Sequence, residues 1–473
     1  MITYPVCIGG LFKELSDNIE VRNPYNNQLI ANCSLAGTKE LEESILAAQS
    51  AEKEMETMPS FRRQEILNGI ANRMQIEREH LASLLAQEAG KPIKYALGEV
   101  DRAIQTFLVA AEESKRLPSE YLSLDWTPAG EGKEGLVKYF PVGIVSGISP
   151  FNFPLNLAVH KIAPAIAAGC PIILKPARST PLSTLELARI AYSTSLLKGA
   201  LSILPMDRVA GNQLVTDPRF KLLTFTGSPQ VGWKMKELAG KKKVVLELGG
   251  NAGVIITKTA NIDKALLKCT GGAFAYSGQV CIHTQRIYIH ETIFETFIEK
   301  MAEQTRILKI GDPLDPSTDI SAMIDEGNAL RVEEWVNEAI NGGARIIAGG
   351  KRKGSIFEPT IITGSRPEMK VCSHEVFGPV VVVEPYSHFE EAIDAINDSP
   401  FGLQAGVFTN QIDEEIFAFN NLKVGGVIIN DVPTFRVDHM PYGGIKESGL
   451  GREGVKYAIH DMMEPRLLVR GKP

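Results

Sequence analysis

The sequence predicts an α/β fold built from parallel sheets with helices on both faces. From residue 143 onward, short apolar runs alternate with amphipathic stretches, which is typical of strands and helices that follow one another along the chain. The length of 473 residues suggests roughly three domains, and 44% hydrophobic residues are ample for large buried cores. No internal repeat or low-complexity tract interrupts this pattern.

Buried strands are expected where short apolar runs are bounded by turn residues. A first series lies at residues 143–148, 171–174, 201–204, 222–225 and 244–248. A second series, between about residue 252 and residue 440, includes residues 252–256, 286–289, 380–383 and 426–429. Helical spacing of apolar residues predicts helices at residues 180–195 and, in the mainly helical first 115 residues, at 39–58 and 62–88.

Residues 118–140 differ from this pattern, because prolines and glycines separate short extended pieces. Residues 466–470 form another short apolar run near the end of the chain. We expect these pieces to pair with one another as a projecting arm.

The composition argues against several classes of function. The 50 basic and 56 acidic residues give a net charge of −6 and are spread along the chain, so there is no basic stripe for nucleic acid. No apolar run approaches the roughly 18 residues of a membrane span, and the first residues lack the pattern of a signal peptide. Six cysteines lie far apart without a C-x-x-C pair, which is typical of reduced thiols. A cytoplasmic location is therefore expected.

Three segments contain residue types suited to thiol chemistry on a carbonyl carbon. They are Gly-Gln-Val-Cys at 278–281, Leu-Glu-Leu-Gly-Gly at 246–250 and Ser-Pro-Phe-Asn-Phe-Pro at 149–154. The thiolate of Cys281 can attack the carbon, the amide of Asn152 can stabilise the oxyanion, and the carboxylate of Glu247 can activate water. Each residue also has an ordinary alternative, namely a buried cysteine, a turn asparagine and a surface glutamate.

In this order, the three segments resemble those of the aldehyde dehydrogenase superfamily, and the resemblance runs from about residue 20 to about residue 460. Residues 441–449, Pro-Tyr-Gly-Gly-Ile-Lys-Glu-Ser-Gly, are similar to a signature near the family's C-terminus. Residues 425–463 look most like the branch of lactaldehyde dehydrogenases and non-phosphorylating glyceraldehyde-3-phosphate dehydrogenases. The resemblance implies NAD(P)-dependent oxidation of a small hydroxyaldehyde or semialdehyde to its acid, through a cysteine thiohemiacetal and a thioester.

The same resemblance implies three structural parts. A Rossmann-like cofactor domain is expected at residues 1–117 and 138–246, and an α/β catalytic domain at residues 247–445. A small β arm for oligomerisation is expected at residues 118–137 and 446–473. The protein should then be a homo-oligomer, either a tetramer or a dimer.

By resemblance, Cys281 is the nucleophile, and its backbone N–H forms the oxyanion hole with Asn152. Glu247, 34 residues earlier (281 minus 247), is the base that hydrolyses the thioester, a residue commonly absent from CoA-acylating members. The neighbours Val280 and Ile282 give the thiol no charge support. Activation of Cys281 is therefore expected from backbone amides or from the cofactor.

Residues 449–454 fit the dinucleotide motif G-x-G-x-x-G but are rejected as one, because they follow a polar segment and leave no room for a βαβ unit. Residues 225–228, Phe-Thr-Gly-Ser, precede a helical pattern at 230–238 and suit a phosphate better. By resemblance, Gly227 and Ser228 approach the pyrophosphate, although Ser228 is also a candidate helix cap. The other cofactor residues implied are Ser149, Phe151, Lys175, Arg178, Leu248, Glu375 and Phe377, with Lys175 at the adenosine ribose and the Glu375–Phe377 segment at the nicotinamide ribose.

Arg178 differs from a common pattern of the family. NAD-preferring members often have a glutamate at this position, which binds the ribose 2′-hydroxyl. A cation here favours the 2′-phosphate of NADP instead. NADP is therefore the expected cofactor ahead of NAD, with a solvated arginine as the alternative.

Substrate contacts are expected from Arg436, which precedes the Pro-Tyr-Gly-Gly segment and can attract an anionic or hydroxylated aldehyde. The alternative for Arg436 is a structural salt bridge, with Asp438 as a candidate partner. His283, two residues past the nucleophile, either faces the pocket or packs in the interior. No metal site is expected, since the His374-Glu375 pair lacks the second histidine of a zinc motif.

Three rivals to this hypothesis stay open. The first is a CoA-acylating semialdehyde dehydrogenase of the same fold, which would form a CoA-dependent product. The second is a non-catalytic structural or binding protein that retained the fold. The third is a cysteine hydrolase that acts on esters without nucleotide.

Overall fold

The computed structural model describes residues 2–471, and two large sheets organise it. The first sheet has eight strands, of which the central five are parallel. In spatial order its strands are Gly449–Leu450, Lys243–Glu247, Leu222–Thr226, Val145–Ile148, Ile172–Lys175, Leu201–Ile203, Val6–Ile8 and Leu11–Lys13. The five parallel strands overlap the first series of predicted strands.

The second sheet has seven strands and is parallel except for one edge pair. In spatial order its strands are Arg345–Ala348, Thr360–Thr363, Val380–Tyr386, Thr284–His290, Ala252–Ile256, Gln404–Phe408 and Gly426–Ile429. Strand Lys243–Glu247 of the first sheet leads through Gly249 and Gly250 directly into strand Ala252–Ile256 of the second. The chain therefore passes from one α/β unit to the next at the position of Glu247.

Fifteen α-helices accompany these sheets within residues 2–471. They are Thr38–Thr57, Ser60–Ile76, Arg78–Ala89, Ile93–Glu113, Pro154–Ala168, Leu182–Tyr192, Arg208–Thr216, Pro229–Leu238, Ile262–Phe274, Phe294–Arg306, Glu326–Asn341, Lys370–Ser373, Phe389–Asn397, Ile412–Asn421 and Val455–Asp461. Helix Pro154–Ala168 is buried along its whole length, as an apolar element between a sheet and other helices should be. The predicted α/β fold is confirmed.

The segments expected to form an arm do pair with one another. Strand Lys133–Pro141 lies between Ser119–Ser123 and Met463–Gly471 in an antiparallel sheet of three strands. The C-terminal segment has other contacts as well, since Gly449–Leu450 extends the eight-stranded sheet. The proposed domain boundaries and the role of the arm in oligomerisation stay predictions.

The N-terminal region contains strands that the helical pattern did not predict. Strands Thr3–Tyr4, Asn18–Arg22 and Leu29–Ser34 form a small sheet, and Val6–Ile8 and Leu11–Lys13 extend the eight-stranded one. The predicted helix at 62–88 is interrupted at Glu77, where two helices meet. Four further short strands form the pairs Arg352–Lys353 with Ile356–Phe357 and Phe401–Gly402 with Ile445–Lys446. No helix within residues 2–471 is long and apolar enough to cross a membrane.

Candidate active site

Cys281 follows a tightly wound segment between a helix and a strand of the seven-stranded sheet. Tyr276 and Ser277 have φ values of 49° and 52°, a conformation that residues other than glycine rarely adopt. The Tyr276 hydroxyl donates to the carbonyl of Ala89 (3.1 Å), and the Ser277 hydroxyl donates to the carbonyl of Ser321 (2.8 Å). These long-range hydrogen bonds fix the approach of the chain to the candidate nucleophile.

The thiol of Cys281 is partly exposed, and its Sγ lies 3.1 Å from the Tyr442 hydroxyl. Burial raises the pKa of this thiol to about 11, whereas the hydrogen bond with Tyr442 acts to lower it. In the absence of other groups the thiol is therefore mostly protonated at neutral pH. This environment is consistent with the expectation that Cys281 needs activation.

Asn152 is buried between strand Val145–Ile148 and helix Pro154–Ala168. Its Nδ2 donates to the carbonyl of Gln279 at 3.0 Å, two residues before Cys281. A side-chain amide has two N–H groups, so the second is available to an oxyanion. The structure thus brings Asn152 against the cysteine segment, as the predicted oxyanion hole requires.

A fully buried ion pair, Lys91 with Glu99, lies beneath Asn152. The Lys91 ammonium also donates to the Asn152 carbonyl at 2.7 Å. One Glu99 oxygen accepts from the backbone N–H groups of Leu155 (3.0 Å) and Asn156 (3.1 Å), in the first turn of the following helix. Because free N–H groups at a helix start favour an anion, Glu99 caps this helix while Lys91 holds the peptide of Asn152.

The Lys91 ammonium also lies over two aromatic rings. It is 3.9 Å from the Phe153 centroid and 4.3 Å from the Tyr276 centroid. Burial lowers the pKa of Lys91, and the charge of Glu99 opposes that effect. Since Phe153 follows Asn152 and Tyr276 precedes Cys281, this one ammonium connects the two segments that form the candidate oxyanion hole.

Glu247 lies at the C-terminal end of its strand, with 4% of the residue exposed. Neither carboxylate oxygen has a hydrogen-bond partner within residues 2–471. Burial, and then the charge of Glu453, raises the pKa of Glu247 well above 4.5, although nearby cations oppose the shift. A buried carboxyl with both oxygens unbonded is an expensive arrangement that a general base can use.

Close backbone contacts hold the base and the nucleophile in one site. A Cβ added at Gly443 would lie 2.9 Å from Oε1 of Glu247, and Gly443 directly follows Tyr442, the residue that contacts Cys281. A Cβ added at Gly250 would collide with the carbonyl oxygen of Cys281. Glycine is needed at both positions because the segments approach too closely for a side chain.

Arg436 has only 6% of its side chain exposed. Its Nη2 donates to Glu453 at 2.7 Å, and its Cζ lies 3.8 Å from the centre of the Tyr442 ring. The candidate salt bridge with Asp438 is not formed, since Asp438 pairs with Arg102 instead (2.7 Å). The Nη1 atom of Arg436 has no hydrogen-bond partner in the described part of the chain.

Glu453 lies inside the rejected G-x-G-x-x-G segment and is buried below the site. It pairs with Lys161 at 3.4 Å as well as with Arg436. Burial alone would raise the pKa of Glu453, but the charges of these two cations hold it at about 2. Residues 449–454 therefore contribute an anion to the active-site interior, in line with the rejection of this segment as a phosphate loop.

The Glu375–Phe377 segment, expected at the nicotinamide ribose, contacts Gly250 and Phe151. Glu375 accepts the backbone N–H of Gly250 at 2.9 Å, and burial raises the pKa of its carboxyl to about 7. The Phe151 and Phe377 rings pack edge to face with centroids 5.8 Å apart. Phe377 has a φ of 47°, a backbone conformation that residues other than glycine rarely adopt.

The segments expected at the adenosine side carry two neighbouring cations. Burial lowers the pKa of Lys175, and the charge of the exposed Arg178 lowers it further. Neither cation has an ion-pair partner among the described residues. Ser228 precedes helix Pro229–Leu238 but its side chain makes no capping hydrogen bond, so its hydroxyl is available to a ligand. The Gly227 N–H donates to the Glu247 carbonyl at 3.0 Å.

Three further predicted residues are buried. Ser149 has a hydroxyl without a partner within residues 2–471, and Leu248 packs beside Gly232. The Nε2 of His283 lies 2.8 Å from the Ala273 carbonyl, and burial lowers the pKa of this imidazole to about 4. His283 is thus packed in the interior, which was the alternative interpretation of this residue. A contact between His283 and the substrate stays a prediction.

All six cysteines are free thiols. Four are buried, while Cys281 and Cys372 are partly exposed. In the part of the chain that the structure describes, no group of three or more His, Cys, Asp or Glu side chains is arranged to hold a metal ion.

Several residues of the site were not singled out from the sequence. They are Lys91, Glu99, Lys161, Glu453 and the hydroxyl of Tyr442. A signal existed for Glu99, which lies at helical spacing between the apolar residues Ala96, Val100 and Ala103. A charged residue on the buried face of a helix indicates a partner in the interior. Tyr442 lies in the Pro-Tyr-Gly-Gly signature of residues 441–449, but that pattern does not indicate a contact of its hydroxyl with the cysteine.

Comparison with known proteins agrees with this geometry. Residues 12–468 match the aldehyde dehydrogenase family. A 3-sulfolactaldehyde dehydrogenase of Priestia aryabhattai is 42% identical over 467 residues, which cover 98% of each chain. A lactaldehyde dehydrogenase of Methanococcus aeolicus is 41% identical, over 96% of this chain and 97% of its own.

Two solved structures are similar over nearly the whole chain. Aldehyde dehydrogenase 21 of Physcomitrella patens, in complex with its reaction product succinate, superposes with a TM-score of 0.98 at 44% identity, covering 99% of this chain and 98% of its own. The glyceraldehyde-3-phosphate dehydrogenase GapN of Methanocaldococcus jannaschii, complexed with NADP, has a TM-score of 0.92 at 38% identity, covering 97% and 100%.

The chain therefore belongs to the aldehyde dehydrogenase family and is an NAD(P)-dependent aldehyde dehydrogenase. The predicted family and the predicted branch are both confirmed. A nicotinamide dinucleotide is the cofactor.

Proposed function

We propose that the substrate is a small aldehyde with an anionic group at its other end, and that NADP is preferred to NAD. The observation that carries the chemistry is the convergence of Cys281, Asn152 and Glu247 in one buried site. Asn152 bonds to the peptide two residues before the cysteine. Tyr442 contacts Sγ, and the adjacent Gly443 lies so close to Glu247 that an added Cβ would be 2.9 Å from Oε1.

In the proposed reaction, the thiolate of Cys281 forms a bond to the aldehyde carbon. The resulting oxyanion accepts hydrogen bonds from Nδ2 of Asn152 and from the cysteine backbone N–H. NADP, held by Lys175, Arg178 and the Glu375–Phe377 segment, would supply the hydride acceptor, and the carbon bonded to Cys281 would then be that of a thioester. Glu247 then removes a proton from water, the water oxygen bonds to the thioester carbon, and the C–S bond breaks to release the acid.

The preference for NADP is supported by the two cations at the adenosine side. Lys175 and Arg178 lie close enough for the charge of one to lower the pKa of the other, and neither is paired with a carboxylate in the described chain. Two unpaired neighbouring cations repel each other, and a 2′-phosphate would relieve that repulsion. Replacement of Arg178 by glutamate should therefore move the ratio of kcat/KM values from NADP towards NAD.

An anionic substrate is supported by Arg436. The guanidinium lies next to the Tyr442 ring, which contacts the nucleophile, and its Nη1 is unbonded within residues 2–471. Relatives fit this hypothesis, since one is a 3-sulfolactaldehyde dehydrogenase and another was solved with its product succinate. Both names describe small compounds with an anionic group.

The test is reduction of NADP or NAD at 340 nm, with and without CoA, using two four-carbon aldehydes that differ only at the far end. Succinic semialdehyde should exceed butanal in kcat/KM by about tenfold or more, as expected for a hydrogen bond to a charged group. Arg436→Lys should reduce this preference. Equal kcat/KM for both aldehydes would contradict the anionic subsite.

Cys281→Ala separates the mechanism from its rivals. It should abolish oxidation, and Cys372→Ala serves as the matched control because Cys372 is the other partly exposed thiol. Oxidation that requires CoA would favour the CoA-acylating rival. Ester hydrolysis without any aldehyde oxidation would favour the cysteine hydrolase, and no turnover on a broad panel would favour a non-catalytic protein.

We also propose that the three-stranded arm mediates a homo-oligomer. The strand Met463–Gly471 exposes three consecutive apolar side chains, Leu467, Leu468 and Val469, each about half accessible. Apolar side chains on a projecting sheet are typical of an interface between subunits. Sedimentation analysis of the protein with Leu467 and Val469 replaced by lysine should show smaller species than the parent.

A further inference from the structure

We infer that Tyr442 is a catalytic residue that touches the nucleophile, and that its hydroxyl donates a hydrogen bond to the thiolate of Cys281. This inference rests on the proposed role of Cys281 as the nucleophile. The geometric basis is the distance of 3.1 Å between Sγ and the hydroxyl oxygen. Among the described residues, the Tyr442 hydroxyl is the one side-chain donor within hydrogen-bond distance of this sulfur.

The direction of this hydrogen bond follows from the protonation states. A thiol and a phenol can each donate to the other, but a thiolate can only accept. Burial and the neighbouring sulfur raise the pKa of Tyr442 well above 10, so the phenol keeps its proton at neutral pH. When Cys281 ionises, Tyr442 is therefore the donor, and the bond favours the charged form of the sulfur.

Arg436 and Glu453 hold the Tyr442 ring in position. Arg436 stacks on it with Cζ 3.8 Å from the centroid, and Arg436 is fixed by its ion pair with Glu453. The backbone N–H of Tyr442 donates to the Glu453 carbonyl (2.9 Å), and the N–H of Glu453 donates to the Tyr442 carbonyl (2.6 Å). Glu453 thus holds Tyr442 both through the backbone and through the arginine.

Two carboxylates near the sulfur disfavour a thiolate, and the Tyr442 hydroxyl is a donor that can offset their effect. Glu375 and Glu247 both disfavour a thiolate, whereas the charge of Arg436 favours one. Burial adds to the cost of the negative charge. Among residues 2–471, Tyr442 is thus the group in contact with Sγ that compensates these unfavourable effects.

The experiment measures alkylation of Cys281 by iodoacetamide in the absence of aldehyde and cofactor, from pH 6.5 to pH 10.5. Mass spectrometry assigns the label to Cys281, because Cys372 is also partly exposed. Tyr442→Phe removes the hydroxyl and keeps the ring on Arg436. We expect alkylation at pH 7.5 to slow about tenfold, and this ratio to persist over most of the range because the pKa of the thiol, about 11, lies above it.

The matched control is Tyr386→Phe. Tyr386 is also buried, and its hydroxyl donates to the Ile256 carbonyl at 3.3 Å, in the core of the seven-stranded sheet. This control should leave the pH profile of Cys281 unchanged. A second variant, Arg436→Lys, keeps a cation beside Glu453 but weakens the stacking, and should slow alkylation in the same direction by a smaller factor.

An alkylation profile of Tyr442→Phe that matches the parent protein would overturn the inference and leave Tyr442 with a packing role. This outcome is distinct from a failure of the proposed function. If Cys281→Ala retains aldehyde oxidation, the mechanism is wrong whatever the alkylation rates are. If Cys281→Ala is inactive and the profile of Tyr442→Phe is unshifted, only the role of Tyr442 fails.

Discussion

Two buried carboxylates near the candidate active site, Glu99 and Glu247, have sharply different surroundings. On the side of the oxyanion hole, Glu99 pairs with Lys91 and accepts two backbone N–H groups. On the side of the base, neither oxygen of Glu247 is bonded within residues 2–471. Both side chains are inaccessible or nearly so, and the sequence alone gives no reason for the difference.

The contrast indicates what each half of the site does. A buried charge whose bonds are all made is stable in one position, so the Lys91–Glu99 pair can fix the peptide of Asn152. A buried carboxyl without bonds has a raised pKa and free lone pairs, both of which favour accepting a proton from water. We infer that Glu99 anchors the site and that Glu247 reacts.

The largest expected effect tests the anchor. Glu99→Gln leaves the Lys91 ammonium buried without its anion, and removing one partner of a buried pair typically costs about 3–5 kcal/mol. We therefore expect the free energy of unfolding, measured by urea denaturation, to fall by about that amount. Glu247→Gln, which breaks no hydrogen bond in the described structure and removes a carboxyl whose charge burial disfavours, should not lower it.

If Glu99→Gln and Glu247→Gln lost similar amounts of stability, the assignment of Glu99 as an anchor and of Glu247 as a base would be contradicted. The double replacement Lys91→Met with Glu99→Gln is informative as well. Because it removes both charges, it should recover part of the stability that Glu99→Gln alone loses.

The next effect tests the base. Glu247→Gln should lower the steady-state kcat by about 100-fold or more, since general-base catalysis typically contributes that much. The first turnover should still release a burst of NADPH equal to the number of sites, because thioester formation does not use Glu247. Rapid mixing with stopped-flow absorbance at 340 nm measures both phases.

The control for this variant is Glu447→Gln, which changes the same residue type at an exposed position in the nearby C-terminal segment. It should leave the burst and the steady state unchanged. Loss of the burst in Glu247→Gln would show that this carboxylate acts before the thioester forms.

The parallel sheets were predictable because fully buried strands leave a strong local pattern. Residues 244–248 and 252–256 are apolar runs bounded by glycine, and the strands lie within two residues of those limits. Strands Val6–Ile8 and Leu11–Lys13 were missed since each has only three residues and they pair with each other and with a distant strand. Propensity over three residues is too weak to indicate such long-range pairing.

Positions of the candidate site were predictable where a local motif exists, as for Cys281 and Glu247. The contacts that tune them come from distant segments. Tyr442 lies 161 residues from Cys281, and Lys91 lies 61 residues from Asn152. A single sequence does not encode which distant residues meet, so the hydroxyl on the sulfur and the ammonium under the oxyanion hole became visible only in the structure.

The smallest expected effect is a pH dependence that belongs to Glu247. Burial raises the pKa of its carboxyl, so as the pH falls the group is protonated earlier than an exposed glutamate and can no longer accept a proton from water. The rate of thioester hydrolysis should therefore fall as the pH drops through the raised pKa. This decrease in rate at low pH should be absent from Glu247→Gln. The measurement is the release of acid in a single turnover between pH 5 and pH 9.

The same shift has an opposite consequence for stability. Between the usual value of 4.5 and the raised value, the folded protein binds a proton at Glu247 that the unfolded chain does not. The free energy of unfolding of the parent protein, relative to Glu247→Gln, should thus decrease as the pH rises from about 4.5. A stability of Glu247→Gln relative to the parent protein that does not change with pH would show that the pKa of this carboxyl is not raised. The pH range in which Glu247 is ionised and can act as a base would then also be the range in which its charge lowers the stability of the fold. This cost is confined to the half of the site where the carboxylate has no hydrogen-bond partner.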